Sequence, residues 1–268
     1  MIAKDAAPEI DRLVYAVGRN ARRVDQDGLA SVLEAAGLDS PGLLNGLSDL
    51  ILAGALTGHV VELRYRYMAD ADRTKFLEDA VAEGRLEFAD GFYGASESAL
   101  ALLSFIETRR ETAAAELWGK FASEVEELTA FCAVVIGASG ESPLLHAYEG
   151  VPLPEGAELR LFALLERMRY LRSDAHAFAW SAAGLTAGDM VEFTPIWNGK
   201  EPRGVEATLA SLEERGLLKH ATLTKQGQAV RDGIEAETNR LAQQALDTLG
   251  DRGDRFVELL VTLPDEPA

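Results

Sequence analysis

Apolar residues recur at helical spacing over most of the chain. In PEIDRLVYAV (residues 8–17), Ile10, Leu13, Val14 and Val17 fall at i, i+3, i+4 and i+7, the stripe of an amphipathic helix. DQDGLASVLEAAGL (25–38) brings Leu29, Val32 and Leu33 to one face, with Gly37 as a stop. Ser40-Pro41 reads as an N-cap and first-turn proline opening GLLNGLSDLILAGAL. Two short helices meeting at a turn around 37–41 have the cadence of a helix-turn-helix. HVVELRYRYM (59–68) changes period. Val61, Leu63, Tyr65 and Tyr67 alternate with Glu62, Arg64 and Arg66, which predicts a strand. A helix over about 72–84 then leads into LEFADGFYG, a strand or short hairpin, and a long helical pattern runs from Ser96 to about Gly137. The glycine- and proline-rich stretch 137–156 reads as a linker or an ordered surface loop.

The second half repeats the scheme. A long helix is expected over 157–182, and Thr186 to Asp189 form a capping-box-like start to a short helix through Phe193. PIWNGKEP (195–202) reads as a loop and Val205 to Arg215 as a helix closed by Gly216. Leu217-Leu218 begins a strand, a very short turn at His220 returns at Leu223, and Thr224 caps a helix to about Gly250. The C-terminal LPDEPA is expected to fray. The expected organisation is therefore an N-terminal winged-helix-like half (1–136), a linker or loop (137–156) and a C-terminal winged-helix half (157–268). DAVAEGRLEF (79–88) and SLEERGLLKH (211–220) are weakly alike, which leaves an ancient duplication open.

Charge narrows the partners. The chain has 268 residues with 26 Lys+Arg against 44 Asp+Glu, a formal charge of −18, split −8 over 1–125 and −10 over 126–268. A diffuse acidic field repels polyanions, so non-specific binding to nucleic acid or to an anionic membrane is disfavoured. Cys132, the single cysteine, lies in the apolar run 128–138 and reads as a small buried hydrophobe. That run of 11 residues is short of a bilayer span. One cysteine fits a reducing compartment, and MIAKDAAPEIDRL lacks the apolar core of a signal peptide, so the expected location is the cytoplasm.

LEERGLLKHATLTKQGQAVRDGIEAETNRL (212–241) resembles the recognition helix, wing and following helix of MarR-type winged-helix regulators. Leu212 would pack the recognition helix on the core, Gly216 would turn it into the wing, and Gly227 would let the next helix approach closely. A wider stretch, about 145–250, resembles a family of actinobacterial helix-turn-helix proteins, with an Arg-x-Asp-x-His element at Arg172, Asp174 and His176. The resemblance implies a mainly α fold with small β wings. Two winged-helix-like modules would surround long central helices, like a MarR-type dimer fused into one chain.

DNA and a small molecule are the candidate partners. Residues 200–231 carry six basic side chains against four acidic, opposing the acidic trend. Arg203, Thr208, Lys219 and Lys225 are the candidate DNA contacts. Against them stand Glu206, Glu213 and Glu214 on the same helix, a wing without arginine, and Asp70, Asp72, Glu78, Asp79 and Glu83 on the equivalent N-terminal helix. A solvated scaffold accounts for the same charges.

Within 157–182, Arg169, Arg172, His176 and Trp180 follow i, i+3, i+7 and i+11 and form one stripe. An anionic aromatic ligand would find a carboxylate partner in Arg172, a stacking surface in Trp180, and a donor or general base in His176. Asp174 falls on another face with Arg167, Tyr170 and Phe178, and is a candidate ligand contact or the partner of a basic neighbour. Arginines paired with acids, a hydrogen-bonded His176 and a core Trp180 make the bland alternative. No cofactor or metal motif is found. The expected function is ligand recognition with transcriptional control. The alternatives are an enzyme with His176 as acid/base and a protein-binding scaffold, in a monomer or a homodimer.

Overall fold

The computed structural model describes residues 2–38 and 40–267. In chain order, α1 (Ile2–Ala21) and α2 (Gln26–Ala35) lead to a 3-10 turn (Gly42–Gly46), α3 (Ser48–Leu52), α4 (Gly58–Arg64) and α5 (Asp70–Ala82). The hairpin β1 (Leu86–Ala89) and β2 (Phe92–Ala95) precedes α6 (Glu97–Trp118), α7 (Ala122–Gly137), α8 (Pro143–His146) and α9 (Ala157–Ala182). Then come α10 (Ala187–Trp197), α11 (Glu206–Glu214), the hairpin β3 (Leu218–Lys219) and β4 (Thr222–Leu223), and α12 (Lys225–Leu246). A 3-10 stretch (Asp247–Arg252) and α13 (Gly253–Thr262) close the chain. Among the described residues the fold is mainly helical with two small antiparallel sheets.

Helix α9, about 39 Å long at the usual rise, packs against α1, α6, α7, α8 and α12. Its N-terminal part is buried on several sides, with Leu159, Leu161, Phe162, Leu164, Leu165 and Met168 all inside. This explains why its apolar residues do not keep to a single stripe. The large core takes in residues from α1 through Ala175 and from Ala242 onwards. A second, smaller core of Ala179, Leu185, Met190, Phe193, Ile196, Leu212, Leu217, Leu218 and Ile234 belongs to the α10–α12 segment. Helices α9 and α12 thus cross from the large core into the small one.

Local signals in this segment hold. Thr186 and Asp189 form a reciprocal capping box on α10, and Thr224 caps α12 by accepting from Gly227 N at 2.9 Å. Gly216 is left-handed at φ 70°, and a Cβ on Gly227 would meet Leu217 O at 2.0 Å. The predicted hairpin at LEFADGFYG is β1–β2, and Leu56 bridges to Tyr93 beside it.

Several expectations need correction. Residues 59–68 are not a strand: α4 begins behind Thr57, whose hydroxyl accepts from Val60 N at 3.2 Å. Adjacent Val60 and Val61 are both buried, which a two-residue period forbids. The helical pattern from Ser96 to Gly137 is two helices, since Gly119 to Phe121 turn the chain between α6 and α7. Ser40 caps no helix: the 3-10 turn follows Pro41 without a side-chain cap, and Asp39 lies outside the described residues. Helix α10 runs past Phe193 through Pro195 to Trp197 instead of yielding to a loop. Within residues 137–156, read as a linker or an ordered surface loop, α8 packs against α9 and Leu144, Leu145, Tyr148 and Val151 are buried. The start of LPDEPA is docked. Leu263 is fully buried, Trp118 Nε1 donates to Pro264 O at 3.1 Å, and Arg12 donates to Leu260 O and Leu263 O.

Among the described residues, no helix is long and apolar enough to cross a membrane. Cys132 is buried in the core, and that burial pushes its thiol up to about 12.

Candidate functional site

A cavity of about 340 Å³ lies between α1, α9 and α12 and is closed from the side by Arg64, Tyr67 and Leu144. The volume is within the usual range for small-molecule pockets. Ala3, Ala6, Ala7 and Ile10 of α1 and Ala242 and Leu246 of α12 form its apolar wall. The polar side comes from α9: Arg169, Arg172 and His176 all line it. The i, i+3, i+7 stripe is therefore brought together. Trp180, one turn further on, is not in the lining but donates its Nε1–H to the hydroxyl of Tyr67, which is, at 3.3 Å.

Helix α12 sets the charge of this site. Glu235 is shared by two cations: Arg172 donates to Oε1, and Arg231 donates to Oε2 at 2.9 Å. Burial works to raise the Glu235 carboxyl, but Arg172 and Arg231 outweigh it and hold the group below the ordinary carboxylate range. One carboxylate against two guanidinium groups leaves a surplus of one positive charge beside the cavity. The Nε atoms of Arg172 and Arg64 are both buried without a hydrogen-bond partner among the described residues. Arg231 also stacks on Trp197 at 4.3 Å from the ring centre, and Trp197 Nε1 donates to Asp232 at 2.9 Å. The cationic cluster thus reaches the end of α10.

His176 has one assignable tautomer. Thr238 donates its only hydroxyl proton to Ile234 O at 2.8 Å, so its oxygen must accept from His176 Nδ1 at 2.9 Å. Nε2 is left with a lone pair. Burial, then the charge of Arg231, and then those of Arg172 and Arg66 lower the imidazole to about 4, against an upward pull from Glu235. At neutral pH this ring is an uncharged hydrogen-bond acceptor toward a ligand and a weak base. That chemistry suits recognition of a donor better than proton abstraction.

The remaining α9 residues are engaged elsewhere. Asp174 is 2% exposed and takes four donors on the far side of the helix. They are Arg66 Nη2 at 2.6 Å, Ser142 Oγ at 2.8 Å, Leu144 N at 2.9 Å and Leu145 N at 3.3 Å. It fastens the stretch just after α4 and the start of α8 to α9. Arg169 is held by Asp11 at 2.6 Å and lies over the Tyr15 ring at 4.8 Å. Periodicity on α9 finds Arg172 and His176 but not their partners. Arg231, Glu235 and Thr238 follow i, i+4, i+7 on α12, and polar residues on the stripe containing buried Ile234 were the available signal.

On the α10–α12 segment, Arg203, Lys219 and Lys225 are exposed and Thr208 is half-buried. Glu192, fully buried, holds the chain that enters α11, a helix with no side-chain cap. Its carboxylate accepts from Arg203 N, Gly204 N and Val205 N at 2.7, 3.2 and 3.0 Å. Sequence reading missed this residue, since a glutamate inside a helix reads as solvated.

A model of a helix-turn-helix family matches residues 95–266, well over half of the chain. The chain belongs to this helix-turn-helix family. No curated protein and no solved structure matches it. The family span takes in both α9 and α12, so the polar side of the cavity lies within the helix-turn-helix region.

Proposed function

We propose that the protein is a cytoplasmic, ligand-responsive helix-turn-helix regulator whose ligand is a small anionic, aromatic molecule. The carrying observation is the surplus positive charge at Arg172, Arg231 and Glu235 beside an apolar cavity, in a chain of formal charge −18. Arg172 holds the anionic group, the α1 and α12 walls take the ring, and His176 Nε2 accepts from a ligand hydroxyl or amide. Arg169 and Trp180 steady the rim through Tyr15 and Tyr67.

We read the two halves, 1–136 and 157–268, as winged modules in a pseudo-dimeric, MarR-like arrangement. Each runs from a helix (α5 or α11) into a hairpin with a two-residue turn and then into a hydroxyl-capped long helix (α6 or α12). The actinobacterial likeness over about 145–250 lies inside the matched family span. DNA contact by Arg203, Lys219 and Lys225, with Thr208 beside them, is local and salt-sensitive.

Two measurements test the reading. Thermal shift with aromatic acids should raise the melting temperature of the wild type and not of Arg172→Ala. Mobility shift on the region upstream of the protein's own gene should show a complex at low salt that the acid weakens; no complex at any salt ends the regulator half of the reading. A protein-docking role has one observation in its favour. The β1–β2 hairpin exposes Phe88 (55%) and Phe92 (49%) beside an acidic α5 that suits no DNA backbone.

A further inference from the structure

A second, more open cavity of about 760 Å³ lies on the other side of Tyr67 and His176. Tyr15 of α1 and the α10 residues Met190, Val191 and Pro195 line it, together with Lys200 and Arg203 from the stretch after α10. Tyr67 and His176 border both cavities, so the two cavities meet at these side chains. Among the described residues Tyr67 is held by one side-chain hydrogen bond, from Trp180, and it is more than a third exposed. Neither Lys200 nor Arg203 makes a side-chain ion pair among the described residues, and Glu201 is the one carboxylate among the lining residues.

We propose that the two cavities are one bipartite site for an elongated dianion. One acidic group sits at Arg172, an aromatic middle passes between Tyr67 and His176, and a second acidic group reaches Lys200 and Arg203. This inference rests on the ligand reading above and adds the length and second charge of the ligand. Three features support it. Both end compartments carry net positive charge in their linings, Lys200 and Arg203 against Glu201 in the outer one, and Arg64, Arg169 and Arg172 against Asp11 in the inner one. The passage is lined by an aromatic ring and a neutral imidazole, neither of which repels an apolar segment. The outer compartment lies between α1 and α10, so a ligand filling it touches the body and the helix-turn-helix segment together. Arg203 then serves the ligand, and ligand and DNA compete for it.

Titration calorimetry with benzoate, biphenyl-4-carboxylate and biphenyl-4,4′-dicarboxylate tests this. The dicarboxylate should bind the wild type at least about tenfold tighter than the monocarboxylate of equal length, roughly one well-placed charge contact. Lys200→Ala with Arg203→Ala should abolish that advantage and leave benzoate binding unchanged, since both residues are exposed and carry no packing. Arg172→Ala should weaken all three acids. If benzoate binds through Arg172 but the dicarboxylate has no advantage, or keeps it in the double variant, the bipartite site is overturned and the inner cavity stands. If none of the three binds, both readings fail.

Discussion

Replacing His176 by Gln should flatten the acid limb of the stability curve. In the folded protein the imidazole is lowered to about 4 by burial and by Arg231, Arg172 and Arg66, against its ordinary value of 6.5. Between those values the unfolded chain binds the proton and the folded one does not, so stability rises with pH across the window. The contribution is complete above about 6.5 and is lost as pH falls toward 4. At about 1.36 kcal/mol per unit the full gap is worth roughly 3 kcal/mol. The ring borders two cavities, so solvent screening reduces this to about 1–2 kcal/mol. Glutamine keeps a donor for Thr238 and cannot take a proton. Urea denaturation of both proteins at pH 4.5, 5.5, 6.5 and 7.5 reads the difference directly, because every other titrating group is common to both. The wild type should lose about 1–2 kcal/mol more than the variant between pH 7.5 and 4.5. A difference that is independent of pH would refute the neutral, buried imidazole, and with it the acceptor role of Nε2.

Asp49 should show the opposite slope. Burial first, and then Glu166 and Glu107, raise its carboxyl from 3.8 to about 6, so the folded state holds the extra proton and stability falls as pH rises through that window. Asp49→Asn, which can keep the bond from Leu50 N, should therefore stabilise the protein by about 1–3 kcal/mol at pH 7 and by nothing below pH 3.5; equal gains at both pH values by chemical denaturation would count against it. Asp174→Ala leaves Arg66, Ser142 and two backbone N–H groups without their acceptor, and should cost about 3–5 kcal/mol in the same assay. A variant of unchanged stability that loses ligand affinity would instead make Asp174 a ligand contact. In the β3–β4 turn His220 and Ala221 are both left-handed, at φ 51° and 54°, where β1–β2 uses Asp90 and Gly91. Ala221→Gly should raise stability by about 0.5–1 kcal/mol, and a lowered melting temperature would show that the turn is not strained.

What was legible in the sequence is what nearest neighbours decide. Thr186 with Asp189, Thr224 with Gly227, and the ends of α9 depend on residues within a few positions, and each stands where local chemistry puts it. The strand expected at 59–68 failed because its reading takes charged positions as solvent positions. Arg64 instead lies on the Tyr170 ring at 4.6 Å and Arg66 reaches buried Asp174, so the apparent alternation was not one of inside and outside. The C-terminal segment reads as frayed because Trp118 and Arg12, which hold it, lie 146 and 251 residues away from their acceptors Pro264 and Leu263. The site divides the same way. The α9 stripe is periodic and visible, but the carboxylate that decides its charge is Glu235, 63 residues beyond Arg172.

The basic window at 200–231 changes meaning once its side chains are placed. Of its six cations, Arg231 is buried against Trp197 and Glu235, and Arg215 turns back to Asp189 at 3.4 Å and Gly184 O at 3.1 Å. Those two are the whole surplus. Lys200, Arg203, Lys219 and Lys225 remain on the outside, matched by Glu201, Glu206, Glu213 and Glu214. In the DNA-binding reading proposed above, a complex of the helix-turn-helix segment would rest on about three phosphate contacts, giving a slope of roughly −3 in log affinity against log salt. A ligand that draws Arg203 into the outer cavity removes one of the three, and about tenfold to hundredfold of affinity at moderate salt is a reasonable scale for losing one charge-assisted contact of 1.5–3 kcal/mol. On that proposal so weak a hold on DNA would be easily switched: a single arginine shared between two partners would be enough to couple them, without any large movement of the proposed modules.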